Sequence, residues 1–153
     1  MKKRPAEIYF LVFLLLLVSI NALAAGGAMI SRPDGSALQL QEEWLSRTPF
    51  PNYFLLGLIL FLFNGVFPAL AVYGLLRRPN WIGIGVFNFY HDKHWSWAYS
   101  LFSGVILIAW TTVQMFIVDF FWLQPAMVAI GLLIILFTLL PRVLRFYSIG
   151  QQS

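Results

Sequence analysis

The chain contains no cysteine and very few charges. Without thiols there is no disulfide framework, no thiol redox chemistry, no iron–sulfur ligation and no Cys-based zinc site. Charged residues make up 10% of the chain, whereas a soluble domain carries about 25%. The sequence has no internal repeat and no low-complexity tail. It also lacks an acid at mid-depth of any apolar run, which excludes the carboxylate that a proton- or cation-coupled exporter needs inside the membrane. Both histidines lie outside the apolar runs, so a haem held between spans would have no axial pair. There is no Ser/His/Asp triad, no acid pair and no phosphate loop. A non-enzymatic reading therefore leads, and no cofactor is implied.

What is present is apolar surface. Sixty per cent of the 153 residues are hydrophobic, with fifteen Phe, six Trp and six Tyr. Lipid accepts that much apolar surface, and aromatics suit the ends of spans. Four runs stand out, at 8–30, 53–76, 97–121 and 126–144. The expected fold is an all-α membrane domain over 1–153, a bundle of four transmembrane helices. The first run could be mistaken for a signal peptide cleaved after Ala22-Leu23-Ala24. It continues through Ala25 to Ile30, and 23 uncharged residues span a bilayer, so an uncleaved span is expected. Ala22 and Gly26, with Ala24 and Ala28, give the small-xxx-small spacing of close helix contact. Between the first two spans, loop 31–52 turns at Pro33-Asp34-Gly35. The segment SALQLQEEWLSR then reads as a short interfacial helix capped by Ser36, with a plain amphipathic loop as the alternative. Loop 77–96 separates the second and third spans, and Trp122-Leu123-Gln124-Pro125 reads as a tight turn before the fourth.

The net charge of +4 does not form a nucleic-acid patch, since the basic residues cluster at span ends. Eight of the ten Lys/Arg lie in the head, in loop 77–96 or in the tail, and the other side holds only Arg32 and Arg47. Both termini are therefore expected in the cytoplasm. Asp119 falls at the outer interface, where it can pair with Arg47 or Arg32, although a solvated acid at the helix end is the leading reading.

On an α-helix, Ser100, Ser103, Gly104, Leu107, Thr111 and Gln114 share one face of the third span, and Val105, Ile106, Ile108, Ala109, Met115 and Phe116 share the other. The first is a protein face and the second a lipid face. In the second span Gly57, Phe61, Asn64 and Pro68 share a face. Pro68 has no N–H, so the carbonyl of Asn64 loses its helical partner. Ser19, Asn21, Asn64, Thr111, Thr112 and Gln114 together make an uncharged polar layer near mid-depth. Two readings stay open. The layer joins the helices by hydrogen bonds of about 1 kcal/mol each. Alternatively, it is a small site for a lipid-like or quinone-like head group, with Asn64, Thr111, Gln114 and Asn21 as polar contacts and Trp110 as a wall. The segment His91-Asp92-Lys93-His94 is the place a metal could use, with two imidazoles three residues apart and Asp92 as a third ligand. Lys93 competes as a positive charge, however, and the segment follows Asn88-Phe89-Tyr90. It reads instead as an interfacial loop with His94, Trp95 and Trp97 at headgroup level, and no metal is expected.

Thr48-Pro49-Phe50-Pro51-Asn52-Tyr53, leading into LLGLILFLFNG, resembles the approach to the second span in a family of small bacterial four-span membrane proteins. His94-Trp95-Ser96-Trp97 with Gly104, Trp110 and Gln114 resembles that family's third span, H-W-x-W followed by G-x-x-L-I-x-W-x-x-x-Q. Leu139-Leu140-Pro141 with Arg142 and Arg145 resembles its ending. The resemblance runs from about Gly35 onward. It implies a bacterial inner-membrane protein and this topology, but no activity. Asp119 departs from the apolar or small residue of the pattern and takes no family role. The leading expectation is a structural or accessory membrane protein acting through lipid or protein contacts, as a homo-oligomer or within a larger complex. The alternative is an oligomeric binding or transport subunit for a small lipid-like or quinone-like ligand. Reporter fusions after Arg78 and after Ser153 should read cytoplasmic, and one after Glu43 should read external; a C-terminus read on the far side removes the four-span topology.

Overall fold

The computed structural model describes residues 3–78 and 92–148, and they are almost entirely helical. Three helices are long and apolar enough to cross a membrane: α1 (Ala6–Ser31), the compound helix Phe54–Arg77, and α5 (Trp95–Ile117). The loop after α1 carries a 3-10 turn at Ser36–Leu38 and a short helix α2 (Glu42–Ser46). The compound helix comprises α3 (Phe54–Ile59), a π-helical segment Leu60–Val66, and α4 (Phe67–Arg77). A shorter apolar helix α6 (Leu123–Thr138) and a final helix α7 (Pro141–Phe146) follow α5. Among the described residues there is no strand ladder, only an isolated bridge between Lys93 and Ser148.

The third span covers Trp95–Ile117 where the sequence reading has 97–121, and three further boundaries differ from that reading, each for a local reason. The fourth apolar run is broken at Leu140, whose backbone is extended (φ −59°, ψ 138°). The ring of Pro141 disfavours α geometry in the residue before it, so Pro141 starts α7 instead of continuing α6. Leu123 and Gln124 belong to the first turn of α6 and not to a tight turn; Pro125 is tolerated there because first-turn N–H groups have no helical partner. The segment 36–47 is two pieces, since Gln39 adopts φ 54°. Asp34 receives the Ser36 N–H at 3.0 Å, so the aspartate closes the turn and Ser36 does not cap a long helix. That bond holds the Asp34 carboxyl below its ordinary value.

Packing follows the small residues. A Cβ on Gly26 would lie 2.7 Å from the Gly57 carbonyl oxygen and 2.8 Å from Phe61 Cβ. A Cβ on Gly104 would lie 2.9 Å from the Gly131 carbonyl oxygen and 2.7 Å from Ile135 Cγ1. Two glycine crossings therefore draw α1 onto the compound helix and α5 onto α6. Within the first small-xxx-small pair, Ala22 and Gly26 are both buried, while Ala24 is exposed. α4 packs on α5 and α6 on α1, so the helices form a ring.

The end bearing Glu7, Arg77 and Arg142 is knit by side chains that donate to carbonyls left over at helix ends. Trp97 Nε1 donates to Thr138 O at 2.8 Å, and Tyr147 OH donates to Leu75 O at 2.7 Å. Arg4 donates to Leu76 O. Ile8, Leu11, Leu15, Ala71, Leu75, Ile134 and Val143 fill the core there. At the opposite end, Met29, Tyr53 and Leu56 form a second cluster with Leu40, Leu45, Phe50 and Trp110. Arg47 pairs with Asp119 at 3.1 Å, an exposed contact that ties α2 to the end of α5.

Gly26→Ala should lower stability by about 1–3 kcal/mol, because the added methyl meets backbone that cannot yield without separating the helices. Gly27→Ala is the control, since its Cβ would meet only Phe61 Cε2 at 4.0 Å. Thermal unfolding of the two variants in detergent checks the contrast; equal stabilities contradict the crossing.

Candidate functional site: a polar cavity between two helix pairs

Proline at position 68 determines the local geometry around Asn64. Its missing N–H and its ring both conflict with an i→i−4 bond to the Asn64 carbonyl. The helix responds by widening to i→i−5 bonding over Leu60–Val66, and the Phe67 N–H reaches Leu62 O. The widened turn is wholly continuous with α3 and α4, and it keeps Gly57, Asn64, Gly65 and Pro68 buried. π-Helical widenings inside α-helices are frequent at functional sites.

Asn64 is 1% exposed, and neither its nitrogen nor its oxygen has a hydrogen-bond partner among the described residues. Gln124, in the first turn of α6, is also 1% exposed, and both its amide atoms are likewise unpartnered. Both amides line one cavity of about 150 Å³. α1 contributes Val18, Asn21, Ala22 and Ala25, and the π segment contributes Leu60 and Asn64. α5 contributes Leu107, Trp110, Thr111 and Gln114, with Gln124 and Met127 from α6 opposite them. The cavity is thus a seam between the two glycine-drawn pairs. No charged side chain lines it among the described residues.

Asn21, Asn64, Thr111 and Gln114 of the polar layer, and Trp110 expected as its wall, all line this one space. They do not hydrogen-bond across it. Asn21 Nδ2 donates to Leu17 O at 3.0 Å and Thr111 Oγ1 to Leu107 O at 2.8 Å, both one turn back on their own helices. Thr112 bonds Ile108 O in the same way and is exposed. Ser19 is the member that bridges helices, donating to Gly65 O at 2.7 Å. The expectation that the whole layer serves as hydrogen-bonded glue therefore holds only for Ser19. An unpartnered buried amide costs about 1–3 kcal/mol, and this cavity contains two.

Gln124 is the residue that sequence reasoning missed. Next to Pro125 it reads as a turn residue, and only the early start of α6 turns it inward. The histidine segment resolves differently. His94 is the N-cap of α5: its Nδ1 accepts from the Ser96 N–H at 3.4 Å and lies 2.8 Å from Ser96 Oγ. His91 lies outside the described residues. Asp92 pairs with its neighbour Lys93 at 2.8 Å. Asp119 accepts from Arg47 and from Trp44 Nε1, and these bonds hold its carboxyl below the ordinary value.

Replacing Asn64 by Leu should leave the delipidated protein as stable as before, or raise its stability by about 1–3 kcal/mol, because an orphaned amide is removed. Ser19→Ala should instead lower it by about 1 kcal/mol, because a real interhelical bond is lost. Thermal midpoints of the two variants check the contrast, and a large loss for Asn64→Leu would show that the amide has a structural partner.

Comparison with models of known protein families, with curated proteins and with solved structures gives no match. The chemistry of the cavity rests on its own residues.

Proposed function

We propose that this is a four-span inner-membrane protein that holds the uncharged head group of a lipid-like or quinone-like molecule between its helix pairs. The observation that carries the reading is the pair of buried, unpartnered amides of Asn64 and Gln124 facing one cavity. A primary amide offers two donors and an acceptor, so this pair suits a head group with oxygens that accept or hydroxyls that donate. The absence of a lining cation disfavours a phosphate, whose charge would stay uncompensated. Size supports a single ring: an engineered apolar cavity of about 150 Å³ takes up benzene. Trp110 and Leu107 supply apolar walls, and Asn21, Thr111 and Gln114 are secondary polar contacts.

Four spans with both termini in the cytoplasm are supported by the placement of the basic residues and by the three long apolar helices. α6 extended by α7 serves as the fourth span. The resemblance to small four-span bacterial proteins agrees with this topology. A second reading is a structural or accessory protein acting through protein contacts, and the exposed aromatic residues Phe116, Phe120 and Trp122 near the end of α5 favour it.

Purification in native lipid followed by mass spectrometry separates the two. A neutral amphiphile should co-purify at about one per chain, and the Asn64→Leu/Gln124→Leu double variant should lose it while unfolding at an unchanged or higher temperature. A stoichiometric protein with no small molecule would overturn the proposal and establish the second reading.

A further inference from the structure

A second space adjoins the cavity on the outer face of the molecule. It is an apolar groove of about 210 Å³ between the compound helix and α5, lined by Ile59, Phe63, Ile106, Ala109 and Val113 together with Asn64 and Trp110. Asn64 and Trp110 line both the groove and the cavity. They form the partition between an inner polar space and an outer apolar one. Phe63 and Val113 are each about half exposed, at 51% and 50%, so the groove faces the surroundings of the bundle. On the reading of the chain as a membrane protein, those surroundings are hydrocarbon. From Ile106 to Val113 the groove follows α5 for seven residues, about 10 Å of helical rise.

We infer that the groove takes the hydrocarbon chain of the same molecule whose head occupies the cavity, and that the molecule loads sideways from the bilayer past Asn64 and Trp110. The inference rests on the proposed head-group site and names its ligand more closely: a neutral ring or carbonyl head on a single apolar chain. Two observations support this occupant over bulk lipid. The groove and the amide site share Asn64 and Trp110 as lining residues. Its only amide-bearing wall is Asn64, which is buried with no partner of its own among the described residues. A head–chain junction placed at the partition gives that amide a partner and leaves the chain in an apolar channel. A chain leaving lipid gains little from apolar burial as such, since lipid is already apolar. The advantage of the chain therefore depends on fit to the groove, and steric filling should abolish it.

The test uses two probes on the full chain in phosphatidylcholine nanodiscs, with ligand concentration expressed per lipid. One is a methylated benzoquinone; the other is the same ring with a ten-carbon chain ending in a photoactivatable group. The chain-bearing probe should bind at least tenfold more tightly and should cross-link to Phe63, Ile106 or Val113. Ala109→Phe and, independently, Val113→Phe should reduce that ratio to below threefold. Leu132→Phe, on the exposed face of α6, should leave the ratio at its wild-type value. If both probes bind wild-type protein equally, or if the groove variants leave the ratio intact, the groove inference is overturned while the head-group site stands. Cross-links confined to α6 or to α1 would also overturn it. If neither probe binds wild-type protein, the head-group reading itself fails and the groove inference fails with it.

Discussion

Two points of backbone contact determine how the helices of this protein are spaced. At Gly26 and Gly57, and again at Gly104 and Gly131, the helices approach so closely that a methyl group would strike carbonyl oxygen. In hydrocarbon, helices gain little from hiding apolar side chains, so close van der Waals approach is the main attraction available. Each crossing makes a tight pair, one of α1 with the compound helix and one of α5 with α6. Large side chains cannot be equally close on every side of such an arrangement. The slack collects in the seam between the pairs, and that is where the cavity lies. Gly74, whose Cβ would lie 2.5 Å from Ser96 Cβ, draws α4 onto α5 and closes the seam at the end bearing Arg77. The space is left in the half toward the 32–52 loop.

The amides are the second layer of the design. A seam lined only by Leu and Ile would be an ordinary packing defect. Here the π segment forced by Pro68 and the early start of α6 hold two amides in it, each excluded from solvent and from helix-to-helix bonding. The hydroxyl groups nearby do not relieve them, since Thr111 and Ser103 both bond carbonyls one turn back on α5. Unrelieved polar groups in a low-dielectric setting are costly. These two unrelieved amides facing one space are the feature on which the proposed head-group site rests.

Much of this was legible in the sequence, for reasons that can be named. Helical periodicity gives most of the two faces of α5: Ser100, Ser103, Gly104, Leu107 and Thr111 are buried and Val105, Met115 and Phe116 are exposed, but Gln114 is half-buried and Ile108, expected to face lipid, packs against Gly131. Asn64 and Pro68 announce themselves as a polar group and a helix-breaking ring in an otherwise apolar run. The sequence places Asp119 at interfacial depth within reach of Arg47 or Arg32 but favours a solvated acid, and the structure pairs it with Arg47. What was not legible depends on register between helices. Gly131 is one small residue among many in α6 until it is set against Gly104. Gln124 is a turn residue by its neighbours and a cavity residue by the direction in which α6 starts. That the polar layer leaves its amides unbonded also depends on how the helices are spaced, which the sequence does not give.

The cavity lining has a further consequence for regulation. Every polar group in it is an amide, a hydroxyl or an indole, and none titrates near neutrality. Occupancy of such a space carries no proton of its own and moves no charge through the transmembrane field. Neither acidification nor a change in membrane potential acts on it directly. On the proposed reading, the filling of this space follows the abundance of its ligand in the surrounding lipid.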